Sequence, residues 1–319
     1  MLDLARRFGD CSTAAGRLPH STMIRTSILA VAVLVPAGLA GVWAFSDCCK
    51  PSAAKETKSC CAGMSRSCAL ASAVDASASD AIASPVTPAG VTPEVLLAAG
   101  INPEDTGSVK GKVTFGGAAP ERKPLDTTKD PECAKAHPEI KVMDETVVVG
   151  ADGGLANVFV WVKKGIEDKK FDPPAEPVVI DQRGCHYVPH VMGIQVGQKW
   201  KIVSSDPLMH NIHAYPRKSP QFNKGMTPGA APIETEFKKD ELNVKVACDV
   251  HTWMNAVVHV TKHPFFAVTN EKGEFEIKGL PAGDYTFEAI HESLGTQTAD
   301  LKVGAKETKD QNFTFKPKA

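Results

Sequence analysis

From residue 107 onward, hydrophobic and polar positions alternate in short runs, each closed by glycine, proline, asparagine or aspartate. In Val109-Lys110-Gly111-Lys112-Val113-Thr114-Phe115 the valines and the phenylalanine share one side and the lysines and threonine the other. That two-residue period belongs to a half-buried strand, and Gly116-Gly117 ends it. The same pattern predicts strands at 146–149, 157–162, 177–180, 191–196 and 199–204, with Gly197 as the hairpin residue between the last two. Further strands are predicted at 233–237, 242–247, 256–261, 266–269, 274–277, 284–290, 297–303 and 312–315, with turns at 150–154, 270–273 and 279–283. A helical period is never sustained over three turns; only 94–99 offers one helical turn or two. The fold class is all-β, organised as sandwiches.

The segment before residue 107 has a different texture. Arg17 and Arg25 precede an apolar run at 28–45, interrupted only by Pro36 and small residues. It reads as a signal peptide cleaved after Ser46 or as an uncleaved membrane anchor, and both place the remainder outside the cytoplasm, in the periplasm or at the cell surface. Cys48, Cys49, Cys60, Cys61 and Cys68 then lie on a Lys/Ser/Ala-rich stretch, and 69–92 is an Ala/Ser/Pro linker unable to bury a core. Such closely spaced thiols fit disulfides or a disordered tail, or soft ligands for Cu(I) or Zn; their spacing matches no zinc motif. The expected division is therefore 1–46 signal or anchor, 47–106 linker and tail, 107–177 N-terminal strands, 178–262 a central sandwich and 263–319 a second small one. With 36 basic against 37 acidic residues, the chain carries no electrostatic footprint for nucleic acid. Membrane contact would run only through the N-terminal segment.

The candidate chemistry sits between residues 205 and 254. Cys248-Asp249-Val250-His251-Thr252-Trp253-Met254 presents a thiolate, an imidazole and a thioether within seven residues. About forty residues earlier another loop carries Asp206-Pro207-Leu208-Met209-His210-Asn211-Ile212-His213. Two imidazoles and one thiolate with a weak axial methionine suit copper cycling between two oxidation states, and a lone cysteine argues against a binuclear centre. Cys133 and Cys185 would pair with each other in an oxidising compartment, which leaves Cys248 free. His210 and His213 are three apart on a strand and so face opposite ways. Five other histidines, at 186, 190, 259, 263 and 291, read as surface or half-buried, and Met192, Met209 and Met226 as core.

Over roughly 178–261 these features resemble the cupredoxins, the group of amicyanin, plastocyanin and pseudoazurin. The short Cys-x2-His-x2-Met loop is similar to that of amicyanin, and His-Asn ahead of a strand is similar to the family's upstream ligand loop. The resemblance implies a Greek-key sandwich holding one type 1 copper through His210, Cys248, His251 and Met254. It also implies Asn211 as the neighbour whose backbone N–H points at the thiolate. The residue after the ligand cysteine departs from the family's usual Ser or Thr: Asp249 stands there, able to accept a hydrogen bond from Asn211 and to stabilise Cu(II) by its charge.

Residues 264–315 resemble the carboxypeptidase-regulatory-like sandwich and the small β-domain of rhamnogalacturonan lyases, on the strength of Phe266 to Ile277 followed by Leu280-Pro281-Ala282-Gly283-Asp284-Tyr285. Segments 107–117 and 156–162 resemble that sandwich's opening strands, so the copper domain would be inserted in it or would follow a separate sheet. No His-Glu-x-x-His, no Gly-x-Ser-x-Gly and no additional His-x-His pair accompanies either part. The expectation is a non-enzyme, an electron carrier with a cytochrome or oxidoreductase as partner and the edge of His251 as the exit for the electron. The alternative is non-redox copper handling, or carbohydrate or cell-surface binding through the second sandwich.

Overall fold

The computed structural model describes residues 91–317; the signal or anchor segment and the cysteine cluster at 48–68 lie outside the described residues. A short helix α1 (Pro93–Ala98) opens this part, capped by the Thr92 side chain with Pro93 in its first turn. Strand β1 (Thr106–Phe115) follows, then helix α2 (Pro131–Ala136) and strand β2 (Phe159–Lys164). The central strands are β3 (Val178–Gln182), β4 (Tyr187–Val188), β5 (Val191–Gln195), β6 (Trp200–Ser204), β7 (His210–Tyr215), β8 (Phe222–Met226), β9 (Ile233–Thr235), β10 (Glu241–Ala247) and β11 (Asn255–Thr261). The last are β12 (Phe266–Val268), β13 (Glu274–Pro281), β14 (Gly283–His291), β15 (Gly295–Val303), β16 (Thr308–Asp310) and β17 (Phe313–Phe315). No helix among the described residues is long and apolar enough to cross a membrane.

Four sheets make two sandwiches. Strand β1 pairs with β13, β16 and β17, and β2 lies between β12 and β14, with β15 at the edge. The strands before residue 165 and after residue 265 thus share sheets. Their inward faces enclose one core, with Val113, Leu155, Val160, Leu280 and Phe287 fully buried. The chain between them forms the orders β4-β3-β6-β9 and β5-β11-β10-β7-β8, closed on a second core that includes Tyr187, Met192, Trp200, Ile212 and Val246. Alternation in β10, where Val244 and Val246 are buried and Lys245 is exposed, is what aims the apolar face inward.

A third apolar cluster (Phe159, Val191, Val257, Phe266, Val268, Ile290) joins β2, β12 and β14 to β5 and β11. This junction corrects the reading of four histidines: His190, His259, His263 and His291 are buried. The His259 ring stacks on Phe159 with centroids 4.2 Å apart, and His263 Nε2 donates to the Val162 carbonyl at 2.9 Å. Strand β8 was invisible to periodicity because it is an edge strand whose Asn223, Lys224 and Gly225 are all exposed. The stretch 146–149 makes only an isolated bridge, Val149 to Leu155, rather than a strand.

Candidate metal centre

Strand β10 runs antiparallel to β7, with Ala247 opposite His213 and Val246 opposite Ala214. The residue after β10, Cys248, therefore emerges beside the start of β7, where His210 and Asn211 stand. The loop 248–254 is closed on itself: Cys248 N–H donates to the Met254 carbonyl at 3.1 Å and Met254 N–H to the His251 carbonyl at 2.9 Å. The Asn211 side-chain oxygen ties this loop to β7, accepting from Asp249 N–H at 2.7 Å and Val250 N–H at 3.3 Å. It also accepts from the Cys248 thiol at 3.2 Å. The backbone N–H of His251 donates to the Cys248 sulfur at 3.3 Å.

The result is a convergent, buried triad. His210 Nδ1 and His251 Nδ1 face each other at 2.9 Å, and Cys248 Sγ is 3.9 Å from His251 Nδ1. The three donor atoms lie within 4.8 Å of one another. Metal–nitrogen bonds of about 2.0–2.1 Å meeting near a right angle span about 2.9 Å, and a metal–sulfur bond of about 2.3 Å at a wider angle spans about 3.9 Å. The donor set and its spacing thus fit one ion bound by two imidazoles and a thiolate. Met254 is buried at the end of the same loop. The disulfide expected between Cys133 and Cys185 is present, and Cys248 is free.

Both imidazoles are held from behind by carboxylates. His210 Nε2–H donates to Asp206 Oδ2 at 2.8 Å, and Asp206 itself accepts the backbone N–H groups of Gly184 at 2.6 Å and Cys185 at 2.8 Å. His251 Nε2–H donates to Asp130 Oδ2 at 2.9 Å. With Nε2 carrying the proton, each ring turns its Nδ1 lone pair toward the common point. Burial opposes charge on His210, yet the Asp206 and Cys248 hydrogen bonds outweigh it and take the ring up to about 9. Burial also raises Cys248, but the His210 hydrogen bond and the surrounding N–H groups bring the thiol below its ordinary value. His251 is shifted down, chiefly by burial.

Several sequence expectations are corrected here. The edge of His251 is not open: the residue is 1% exposed, covered by Asp130 and by Trp253, whose ring centroid is 5.0 Å away and whose indole N–H donates to the Cys185 carbonyl at 3.0 Å. Met209 is not core but 52% exposed, next to the ligand loop. His213 points away from the triad and joins a partly exposed polar cluster with Tyr215, Asn223 and Asp249. Asp249 does reach Asn211, at 3.2 Å. Sequence reasoning missed Asp130, Asp206 and His137. Asp206 was within reach, four residues before His210. Asp130, 121 residues from His251, carried only the Asp-Pro signal of a helix start. A further group, His137, Cys185 and Asp206, is left with two donors because the Cys185 sulfur is spent in the disulfide.

Residues 252–316 match the carboxypeptidase regulatory-like domain; the first of them, through β11, lie in the central sandwich rather than the second one. No curated protein matches the chain. Among solved structures, the chain is similar to the copper-containing nitrite reductase of Thermus scotoductus SA-01 (20% identity, 31% of this chain and 25% of that one, TM-score 0.26). It is similar to a purple cupredoxin of Nitrosopumilus maritimus (22% identity, 26% and 99% coverage, TM-score 0.23) and to an oxidised point mutant of amicyanin (15% identity, 37% and 93% coverage, TM-score 0.25). The chain spans a quarter of the nitrite reductase's length.

Proposed function

We propose that this chain is an exported electron carrier, that His210, Cys248 and His251, with Met254 as a weaker fourth donor, would hold a single mononuclear type 1 copper, and that it is not an enzyme. The observation that carries the reading is the convergence of one free thiol and two Nδ1 atoms, buried at one end of a sandwich, with both Nε2 atoms tied to carboxylates. Copper, when bound, supplies a one-electron couple. The protein's own part is to keep the donors in place: Asn211 pins the 248–254 loop to β7, and Asp206 and Asp130 fix the two ring orientations. Ligands fixed this way have little to reorganise when the charge at the centre changes. Its partner would be a cytochrome or oxidoreductase outside the cytoplasm.

The test is titration of the whole chain with Cu(II), followed by visible absorption and spin resonance. The expected result is a strong thiolate-to-copper band at one copper per chain, absent in Cys248→Ala, with a reversible potential. Full copper occupancy without that band would discard the carrier. Cu(I) passed to an acceptor without colour would select copper handling, and sugar binding without copper would select adhesion.

A further inference from the structure

The segment between β1 and β2 belongs to no sheet of the central sandwich, yet it supplies groups to both histidines of the triad. Helix α2 has Asp130 at its N-terminal cap and His137 at its C-terminal cap. Six residues separate the two caps, and from them the helix reaches both imidazoles. Asp130 accepts the hydrogen bond of His251 Nε2 at 2.9 Å. His137 Nε2 lies 3.0 Å from Asp206 Oδ1, at ion-pair distance though off the line of a hydrogen bond, and the other oxygen of Asp206 holds His210. Midway, the buried Cys133 is joined to Cys185, whose own N–H donates to Asp206 at 2.8 Å and whose carbonyl accepts the Trp253 indole at 3.0 Å. A helix of six residues has little stability of its own, and Cys133 is its only buried residue. The disulfide is therefore its covalent tie to the central sandwich, beside the Asp130–His251 hydrogen bond.

We propose that residues 130–137 form a disulfide-tied strap over the metal centre, in which Asp130 is a positioning residue for His251 and the Cys133–Cys185 bond holds the strap closed over the edge of that ring. The inference rests on His210 and His251 being the ligands. Its consequence is that the route between the centre and solvent is shut while both the disulfide and the Asp130–His251 hydrogen bond are intact. A dithiol reductant would open it: the S–S bond takes two electrons and two protons to give two thiols, while the reductant's two thiols become a disulfide.

The test uses the full chain in two states. Without metal, alkylation of Cys248 by iodoacetamide is followed by mass spectrometry of its peptide, in the parent, in Asp130→Ala and in the double variant Cys133→Ser with Cys185→Ser. Opening the strap should speed modification about tenfold or more, the factor that roughly 1.4 kcal/mol off a local opening free energy produces. Loaded with copper, both variants should lose metal to EDTA about 10- to 100-fold faster, with altered spin-resonance parameters, and Asp130→Asn, which keeps an acceptor for Nε2–H, should restore most of the parental behaviour. Parental alkylation and parental copper loss in both variants would overturn the strap. If the double variant does not fold, Asp130→Ala alone decides. Failure of the parent to show a thiolate-to-copper band would instead overturn the copper reading, while the alkylation rates still report on the strap.

Discussion

Both sandwiches are built from the same alternating strands, but they bury different things. The second sandwich closes on Val109, Val113, Val160, Leu280 and Phe287, a core that asks nothing of its residues but volume. The central sandwich buries Trp200, Ile202 and Ile212 in the same manner, then gathers Asp206, His210, Asn211, Cys248 and His251 at one end, all buried. Burying polar groups is costly unless each is hydrogen-bonded, and here nearly every atom of that set has a partner. An end of a sandwich that gathers so many bonded polar groups is equipped for chemistry; an apolar interior of aliphatic and aromatic side chains supplies stability. The two regions should therefore fail in different ways.

The largest effect expected from that contrast is in the second core. Phe287→Ala, fully buried, should cost about 3–5 kcal/mol of stability, read from denaturant unfolding, while leaving the copper band of the surviving folded protein where it was. A shifted band would mean that the two sandwiches are coupled at the site.

A smaller effect concerns the junction between them. Burial pushes His259 down to about 3 and His263 and His291 to about 4. The unfolded chain then binds more protons than the folded one between those values and about 6.5. Their contribution to stability is fully present above about pH 6.5 and is lost as pH falls toward about 4. His190 works in the opposite sense: burial lowers it, but Glu292 and Glu145 raise it past its ordinary value, so its contribution fades as pH rises. The expected outcome is a melting temperature that falls from about pH 6.5 to about 4, and a shallower fall in His259→Phe, which keeps the stack on Phe159. An identical slope in the variant would remove His259 from the account.

The smallest effect is at the rim of the site. Asp249 is exposed but bonded to Asn211 and Asn223, and its negative charge would favour the oxidised form of a bound copper. Asp249→Ser should raise the reduction potential, by less than the roughly 59 mV that marks a tenfold change for one electron. An unchanged potential in voltammetry would mean that the carboxylate is not felt at the metal.

What could be read from the chain follows from how local each signal is. Alternation in β1, β10 and β13 is local, and those strands stand where the pattern put them. The triad was legible because Cys248 and His251 share a loop and His210-Asn211 carries its own signature. The paired burial of β7, with His210 inside and His213 at the surface, follows from period two. The strap was not legible, since the Asp130–His251 hydrogen bond spans 121 residues and nothing in Lys129-Asp130-Pro131 names its target. The buried histidines were missed for the same reason: hydropathy assigns them to the surface, and only tertiary packing covers them, as where His259 stacks on Phe159 and His291 lies against Phe315.

X-ray absorption at the copper edge of the loaded, full-length chain addresses the triad most directly. One short copper–sulfur bond and two copper–nitrogen bonds, with the sulfur contribution gone in Cys248→Ala, is the result expected. A shell of nitrogen and oxygen alone, or a sulfur signal that survives the loss of Cys248, would contradict it.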